Sequence, residues 1–158
     1  YARVAQIYLL PKKIFKGRPL LPGKHSGEAL VSKYAFNTTG SYLENMFAGV
    51  TDKAICTDSD NPDLYKKELS NCILCTTQTI GSTLGGCALM GMKEMGVGPM
   101  ALLFSEHIDA VIASGVFMED IWNNKRIITI DLLGDEFLDT VKTGDPIKIF
   151  EDGTVEIG

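Results

Sequence analysis

Thr79-Ile80-Gly81-Ser82-Thr83-Leu84-Gly85-Gly86-Cys87 is the segment from which the fold and the chemistry can be read together. It follows a strand-like run, Asn71 to Gln78, and opens a helix-like run, Leu84 to Met95. Ser82 and Thr83 therefore fall at a strand-to-helix turn. The first N–H groups of a helix have no intrahelical partner, so such a turn is a ready seat for a carboxylate or phosphate. A serine placed there is both an anion contact and a proton acceptor. Spacing excludes three glycine-rich alternatives. Gly86 is followed by Cys87, not by the Lys of a nucleotide-triphosphatase phosphate loop. The dinucleotide pattern Gly-x-Gly-x-x-Gly is missing, as is the hydrolase elbow Gly-x-Ser-x-Gly. The plain structural reading is a well-built turn, with Ser82 or Thr83 as helix cap and glycines for close packing.

On either side the patterns alternate. Ile73 to Thr77 reads as a strand, and 84 to 95 as a helix closed by Gly96. Met100 to Phe104 reads as a strand, 106 to 113 as a helix closed near Gly115, and Arg126 to Ile130 as a strand. Strands alternating with helices predict a parallel sheet with right-handed crossovers. The C-terminus differs: Pro146 to Phe150 and Thr154 to Ile157 alternate in polarity around Asp152-Gly153, a hairpin signal. Upstream, Glu28 to Lys33 reads as a strand, and Gly17 to Gly23, punctuated by Pro19 and Pro22, as a short bent strand. Residues 1–16 form an arm or strand, including Ala5 to Leu10, and 17–158 form a single domain. Residues 37 to 63 are a long polar loop region with a short helix near Tyr42 to Phe47; loops of this length are usually functional. The expected class is α/β, with a β-rich start and end.

The 158 residues suffice for one domain with a sizeable core. A net charge of −5 argues against a nucleic-acid surface, and Lys12, Lys13, Lys16 and Arg18 make only a short solvated patch. No apolar run approaches the ~18 residues that span a bilayer, and no signal-peptide pattern appears, although the chain begins at Tyr1 rather than Met. The four cysteines, Cys56, Cys72, Cys75 and Cys87, are too few and too unevenly placed for a disulfide scaffold. Cys72 and Cys75 lie in a strand-like run, where positions three apart point to opposite faces, so they read as ordinary thiols. A reducing, cytoplasmic compartment is expected. Asn37-Thr38-Thr39 is a formal glycosylation sequon with no other sign of secretion beside it.

Other constellations fail on inspection. Asp58 to Asp63 begins like a calcium loop, but Pro62 takes the fifth position and Leu69 the twelfth. His25 and His107 are the only histidines and share no metal-ligand spacing. His25, in a glycine-flanked polar loop, is the better functional candidate. Met90, Met92, Met95 and Met100 read as core fillers.

Five segments in order resemble the small-subunit, or swivel, domain of aconitase X. Gly17-Arg18-Pro19-Leu20-Leu21-Pro22-Gly23-Lys24-His25-Ser26-Gly27-Glu28-Ala29-Leu30-Val31 is similar to its opening. Asp58 with Asn61-Pro62-Asp63-Leu64-Tyr65 resembles its Asp-x-x-His-Pro-Leu-Tyr segment, and Ile73 to Gly86 resembles its strand ending in Gly-Ser-Thr. Gly96 to Leu103 and Lys142-Thr143-Gly144-Asp145 are similar to two later steps. The resemblance covers roughly 17 to 157. Three features depart from it: Asn61 stands in place of the usual His, Gly86 where many relatives have a second serine, and Asn37 to Ala48 has no clear counterpart.

The resemblance implies the swivelling β/β/α fold of the aconitase superfamily, with a central parallel-containing sheet, flanking helices and a C-terminal hairpin. It implies a hydro-lyase subunit that dehydrates a small hydroxy-carboxylate such as cis-3-hydroxy-L-proline; the alternative substrate is mevalonate 5-phosphate. It implies a large catalytic partner subunit that carries an iron or iron–sulfur centre, with none bound by this chain, and neither nucleic acid nor membrane as partner. Ser82 falls on the position of the candidate catalytic serine. Gly81, Thr83 and Gly85 join it as substrate-binding candidates, with Arg18, Lys24 and His25 as further anion contacts. Dehydration beside a carboxyl group needs a base for an acidic C–H, and a helix N-terminus favours a serine alkoxide. Two other classes remain. A phosphohistidine swivelling domain needs a histidine in the turn, and Ser82 to Cys87 holds none. A non-catalytic binding module of the same fold would keep the architecture without the site, against which the retained Gly81-Ser82-Thr83 argues.

Overall fold

Three strands buried at every position form the centre of the molecule: Ile73–Thr76 and Ala101–Phe104, which are mostly apolar, and Ile128–Asp131, in which Thr129 and Asp131 are buried too. Strands of that kind are covered on both faces, as in parallel sheets with helical crossovers. The computed structural model describes residues 11–158, so Ala5 to Leu10 and most of the expected arm lie outside the described residues. In chain order the elements are β1 (Lys13–Lys16), β2 (Arg18–Leu21), β3 (His25–Val31), β4 (Phe36–Asn37), α1 (Thr38–Ser41), α2 (Leu43–Phe47), β5 (Ile73–Thr76), β6 (Thr79–Ile80), α3 (Gly85–Glu94), β7 (Ala101–Phe104), α4 (Ala110–Asn123), β8 (Ile128–Asp131), α5 (Asp135–Thr140), β9 (Pro146–Ile149) and β10 (Thr154–Ile157).

Eight strands run in the order β1-β10-β9-β3-β5-β7-β8-β2. The segment β3-β5-β7-β8 is parallel, with Leu74 opposite both Leu30 and Leu102. The segment β1-β10-β9-β3 is antiparallel. β3 belongs to both: His25 to Glu28 pair with β9, and Ala29 to Val31 with β5. The outermost strands β1 and β2 are separated in sequence by Gly17 alone. Gly17 N–H donates to the Gly153 carbonyl at 3.0 Å, and a Cβ on Gly17 would lie 2.6 Å from the Asp131 carbonyl oxygen. One bent strand thus joins the two ends of the sheet.

Alternation along the strands separates two cores. Ile73, Cys75, Ala101, Leu103, Ile128 and Ile130 face inward with Ile147, Ile149, Val155 and Ile157 of the hairpin, and Phe137 and Leu138 of α5 join them. Leu74, Leu102 and Phe104 face the other way, against Leu89, Met92, Ile112 and Val116 of α3 and α4. The result is the expected β/β/α layering. Cys72 packs on the helical side and Cys75 on the strand side, so the pair lies on opposite faces as the spacing predicts.

Several boundaries differ from expectation. The helix expected over 106 to 113 is α4, Ala110–Asn123. Gly115 does not end it. A Cβ at Gly115 would meet the Gly86 carbonyl oxygen at 2.6 Å, and one at Gly86 would meet the Val111 carbonyl oxygen at 2.5 Å. These glycines let α3 and α4 cross in contact; the helix stops at Asn124, a left-handed residue with φ 52°. Asp109 starts it, its carboxylate accepting from Val111 N at 2.9 Å and Ile112 N at 3.1 Å. The helices α1 and α5 lack a clear apolar period, and the sequence pattern does not announce them. β3 starts at His25 rather than Glu28 because its first half pairs with the hairpin strand β9.

Candidate functional site

The carboxyl ends of β5, β7 and β8 open on one edge of the molecule, where ligands of open α/β sheets bind. Two helices begin there. After β5 the chain makes a second short strand, β6, which pairs in parallel with β4. It then turns through Gly81 at φ 105°, a left-handed conformation that favours glycine. A side chain at 81 would also lie 2.5 Å from Asn37 Oδ1. Asn37 is held in turn by the Gly40 N–H, which donates to its side-chain oxygen at 3.0 Å. The turn is completed by Leu84 N donating to Ser82 Oγ at 3.1 Å and Gly85 N donating to the Ser82 carbonyl at 2.9 Å.

A cavity of about 160 Å³ lies at this turn, lined by Thr38, Thr79, Ile80, Gly81, Ser82, Gly85, Asp109, Val111 and Ile112. The two helix starts beside it are finished differently. α4 is capped by the Asp109 carboxylate, whose other oxygen accepts from the Thr79 hydroxyl. α3 has no side-chain cap, and the N–H groups of Gly86 and Cys87, in its first turn, have no intrahelical acceptor. Its end carries a partial positive charge of roughly half an elementary charge. That charge and the Leu84 N–H both favour negative charge on Ser82 Oγ. Ile80 and Leu84 flank the turn with more than half of their surface exposed.

The sequence-derived candidates separate in space. Gly81, Ser82 and Gly85 line the cavity. Thr83 is exposed on the turn. Arg18 lies at the same end of the sheet but is engaged elsewhere: its Nε and Nη2 donate to the two oxygens of buried Asp131 at 2.9 and 2.6 Å. Nη2 also stands 3.2 Å from His107 Nε2, while His107 Nδ1 meets the Ile108 carbonyl at 2.6 Å. That second contact fixes Nδ1 as the protonated nitrogen and leaves Nε2 to accept from Arg18. Lys24 and His25 sit at the start of β3, with Lys148 and Phe150. The register Ala29 opposite Ile73 puts them at the opposite end of the sheet, roughly 20 Å from Ser82 at about 3.3 Å per residue. They do not share a pocket with Ser82.

Three cavity residues stand outside the candidates drawn from the sequence. Thr79 belongs to the same turn. Asp109 occupies, one βα unit later, the place that Ser82 occupies in its own, and the rule for carboxyl ends of parallel strands points to it. Thr38 comes from the polar region 37 to 63 and reaches the site only through the β4–β6 pairing; no local signal marks it. Asn61, which stands where a histidine was expected, is buried away from the cavity. It accepts from Ser32 Oγ at 3.0 Å and Leu64 N at 3.2 Å, tying the 58–65 loop to the end of β3. Gly86 stands where a serine was expected because the helix crossing leaves no room for a side chain.

Comparison with known proteins gives consistent matches. The family model described as the aconitase X swivel domain matches residues 14–157. The phosphomevalonate dehydratase small subunit of Archaeoglobus fulgidus is 28% identical over 144 residues, covering 90% of this chain and 97% of that protein. The protein of the same name from Thermococcus gammatolerans is also 28% identical, over 90% of this chain and 95% of its own length. Among solved structures, the holo-form of Thermococcus kodakaraensis aconitase X superimposes with a TM-score of 0.75 at 26% identity, covering 94% of this chain and 99% of that one.

Proposed function

The chain belongs to the aconitase X swivel-domain family, and we propose that it is the small subunit of a phosphomevalonate dehydratase, acting with a large subunit. The observation that carries this reading is the near end-to-end similarity to proteins of that name, 90% of this chain against 97% of the Archaeoglobus fulgidus protein. It favours mevalonate 5-phosphate over cis-3-hydroxy-L-proline, the substrate first expected; no relative described above is named for hydroxyproline. Residues 17–158 are taken as one swivel domain, joined through Gly17 to the strand at Lys13–Lys16.

In this reading Ser82 Oγ removes the acidic proton beside the substrate carboxylate, and the open first turn of α3 holds that carboxylate. Ser82 acts as the alkoxide, which the Leu84 N–H and the helix end stabilise before transfer. It becomes the neutral hydroxyl as it takes the proton, and the electron pair left on carbon forms the double bond as the neighbouring hydroxyl leaves. A cavity of about 160 Å³ is small against the ~300 Å³ lower bound for small-molecule pockets. The exposed Ile80 and Leu84 at its rim fit a half-site that a second subunit completes. Arg18 is retained as an anion contact at the same sheet end; Lys24 and His25 are too far from Ser82 to join it.

The described residues do not fit an iron centre: no three His, Cys, Asp or Glu side chains converge among them. We therefore assign the iron or iron–sulfur centre to the large subunit and derive no step through it. Among the described residues no helix is long and apolar enough to cross a membrane, and a cytoplasmic location is part of the proposal.

The test is to purify the chain with its large subunit and assay both hydroxy-carboxylates. Turnover of mevalonate 5-phosphate is expected, with Ser82→Ala reducing kcat by about 10² to 10⁴. Turnover of the hydroxyproline alone overturns the substrate. Turnover of neither supports the non-catalytic reading.

A further inference from the structure

We propose that the Thr38 hydroxyl is a substrate contact, and that with the open first turn of α3 it forms the seat of the substrate carboxylate. This rests on the dehydratase reading of the Ser82 site. Thr38 is 1% exposed and lines the same cavity as Ser82 and Gly85. Its Oγ1 stands 3.9 Å from the point where a side chain on Gly85 would begin, so it faces the first residue of α3.

The other polar groups around the cavity are engaged. Thr79 donates to Asp109, Asp109 caps α4, and Ser82 Oγ accepts from Leu84 N. Among the described residues Thr38 Oγ1 has no hydrogen-bond partner, and unlike Thr39 Oγ1 and Ser41 Oγ it is not wholly sealed: it is open to the cavity that it lines. A ligand oxygen in the cavity satisfies it.

The uncapped start of α3 points to the same ligand. α4, starting beside it, carries its own carboxylate cap, whereas α3 has none. A carboxylate from outside would do for α3 what Asp109 does for α4. Geometry selects the substrate's carboxylate over its phosphate. The proton that Ser82 removes lies on the carbon next to the carboxyl group, so a base at Ser82 brings the carboxylate to the nearest donors. Those are the α3 N–H groups and Thr38.

The region from Asn37 to Ala48 thereby contributes a binding residue as well as support. Its short strand β4 holds Thr38 in place by pairing with β6, the strand that leads into the Ser82 turn.

The experiment compares wild type, Thr38→Val and Thr38→Ser, each in complex with the large subunit. KM and kcat are measured for mevalonate 5-phosphate and cis-3-hydroxy-L-proline, and Kd by calorimetry. Valine keeps the shape and removes the donor. Loss of one hydrogen bond to a charged group predicts a rise in KM and Kd of about 10- to 100-fold, with kcat far less affected. Serine is expected to bind close to wild type. Unchanged KM and Kd in Thr38→Val, with an unchanged or raised Tm, overturn the proposal and make Thr38 a packing residue. So does equal weakening by Val and Ser. If the wild-type complex binds but turns over neither compound, the dehydratase reading fails, while the Kd comparison still decides whether Thr38 contacts the carboxylate. A wild-type complex that binds neither compound overturns both.

Discussion

Replacing Gly86 with alanine probes the α3–α4 crossing on which the pocket depends. The added Cβ would sit 2.5 Å from the Val111 carbonyl oxygen, 3.0 Å from Ser114 Oγ and 3.1 Å from Gly115 N. Ordinary carbon–oxygen approaches are no closer than about 3.3 Å, so the helices must part by about 0.8 Å. The obstacle is mostly backbone and cannot rotate away. Two effects oppose each other. Alanine is preferred to glycine in a helix by about 1 kcal/mol, and overpacking typically costs about 1–3 kcal/mol. With backbone as the main obstacle the upper part of that range, about 2–3 kcal/mol, applies, so a net loss of about 1–2 kcal/mol follows, a fall in Tm of roughly 2–8 °C for a chain of this length. The control lies in the same helix: a Cβ added at Gly91 would meet nothing within 4 Å, so Gly91→Ala gains about 0.5–1 kcal/mol and raises Tm by roughly 1–4 °C. Both variants are melted beside wild type by circular dichroism or calorimetry. Gly86→Ala melting at or above wild type, with Gly91→Ala stabilised, would falsify the close crossing.

Thiol chemistry offers a second check. Burial pushes the Cys72 thiol up to about 12 and raises those of Cys75 and Cys56, whereas Cys87 is exposed in the first turn of α3. Ellman's reagent at neutral pH is expected to titrate one thiol quickly and the other three slowly, with Cys87→Ser abolishing the fast phase; three or four fast thiols would contradict the packing. At the other end of the molecule, the Lys16 ammonium and then the Thr154 N–H hold the Asp152 carboxyl down at about 2. A carboxyl depressed in the folded state stabilises above its unfolded value near 4 and loses that contribution as pH falls through 2. Asp152→Asn is thus expected to flatten the acid limb of Tm between pH 4 and 2 slightly, since the pair is exposed and screened; an unchanged acid limb argues against it.

Much of the architecture was legible because its signals are local. The buried runs at Ile73, Ala101 and Ile128, the Gly81–Gly86 turn and the Asp152-Gly153 hairpin announce themselves within a few residues. The misplaced helix shows the limit. Gly115 has the character of a helix stop, and only the approach of Gly86 from another helix explains it inside one. The site divides in the same way. Ser82 follows from the turn, but Thr38 and Asp109 reach it through strand pairing and a helix cap that no spacing encodes. Arg18, Lys24 and His25 lie within eight residues of one another in the sequence. The sheet instead carries Arg18 to the Asp131 end and leaves Lys24 and His25 at the opposite one.

The join at Gly17 also bears on how a partner can attach. Sheets often recruit other chains by offering a long unpaired strand edge. Here, among the described residues, the outermost members of the eight-stranded order are β1 and β2, each four residues long. They are buckled together through one glycine wedged between Gly153 and Asp131. A large subunit that approached by adding a strand would find at most a four-residue template on either. Among the described residues side chains offer the larger footing, and the exposed Ile80 and Leu84 beside Ser82 are where such a footing would also close the pocket.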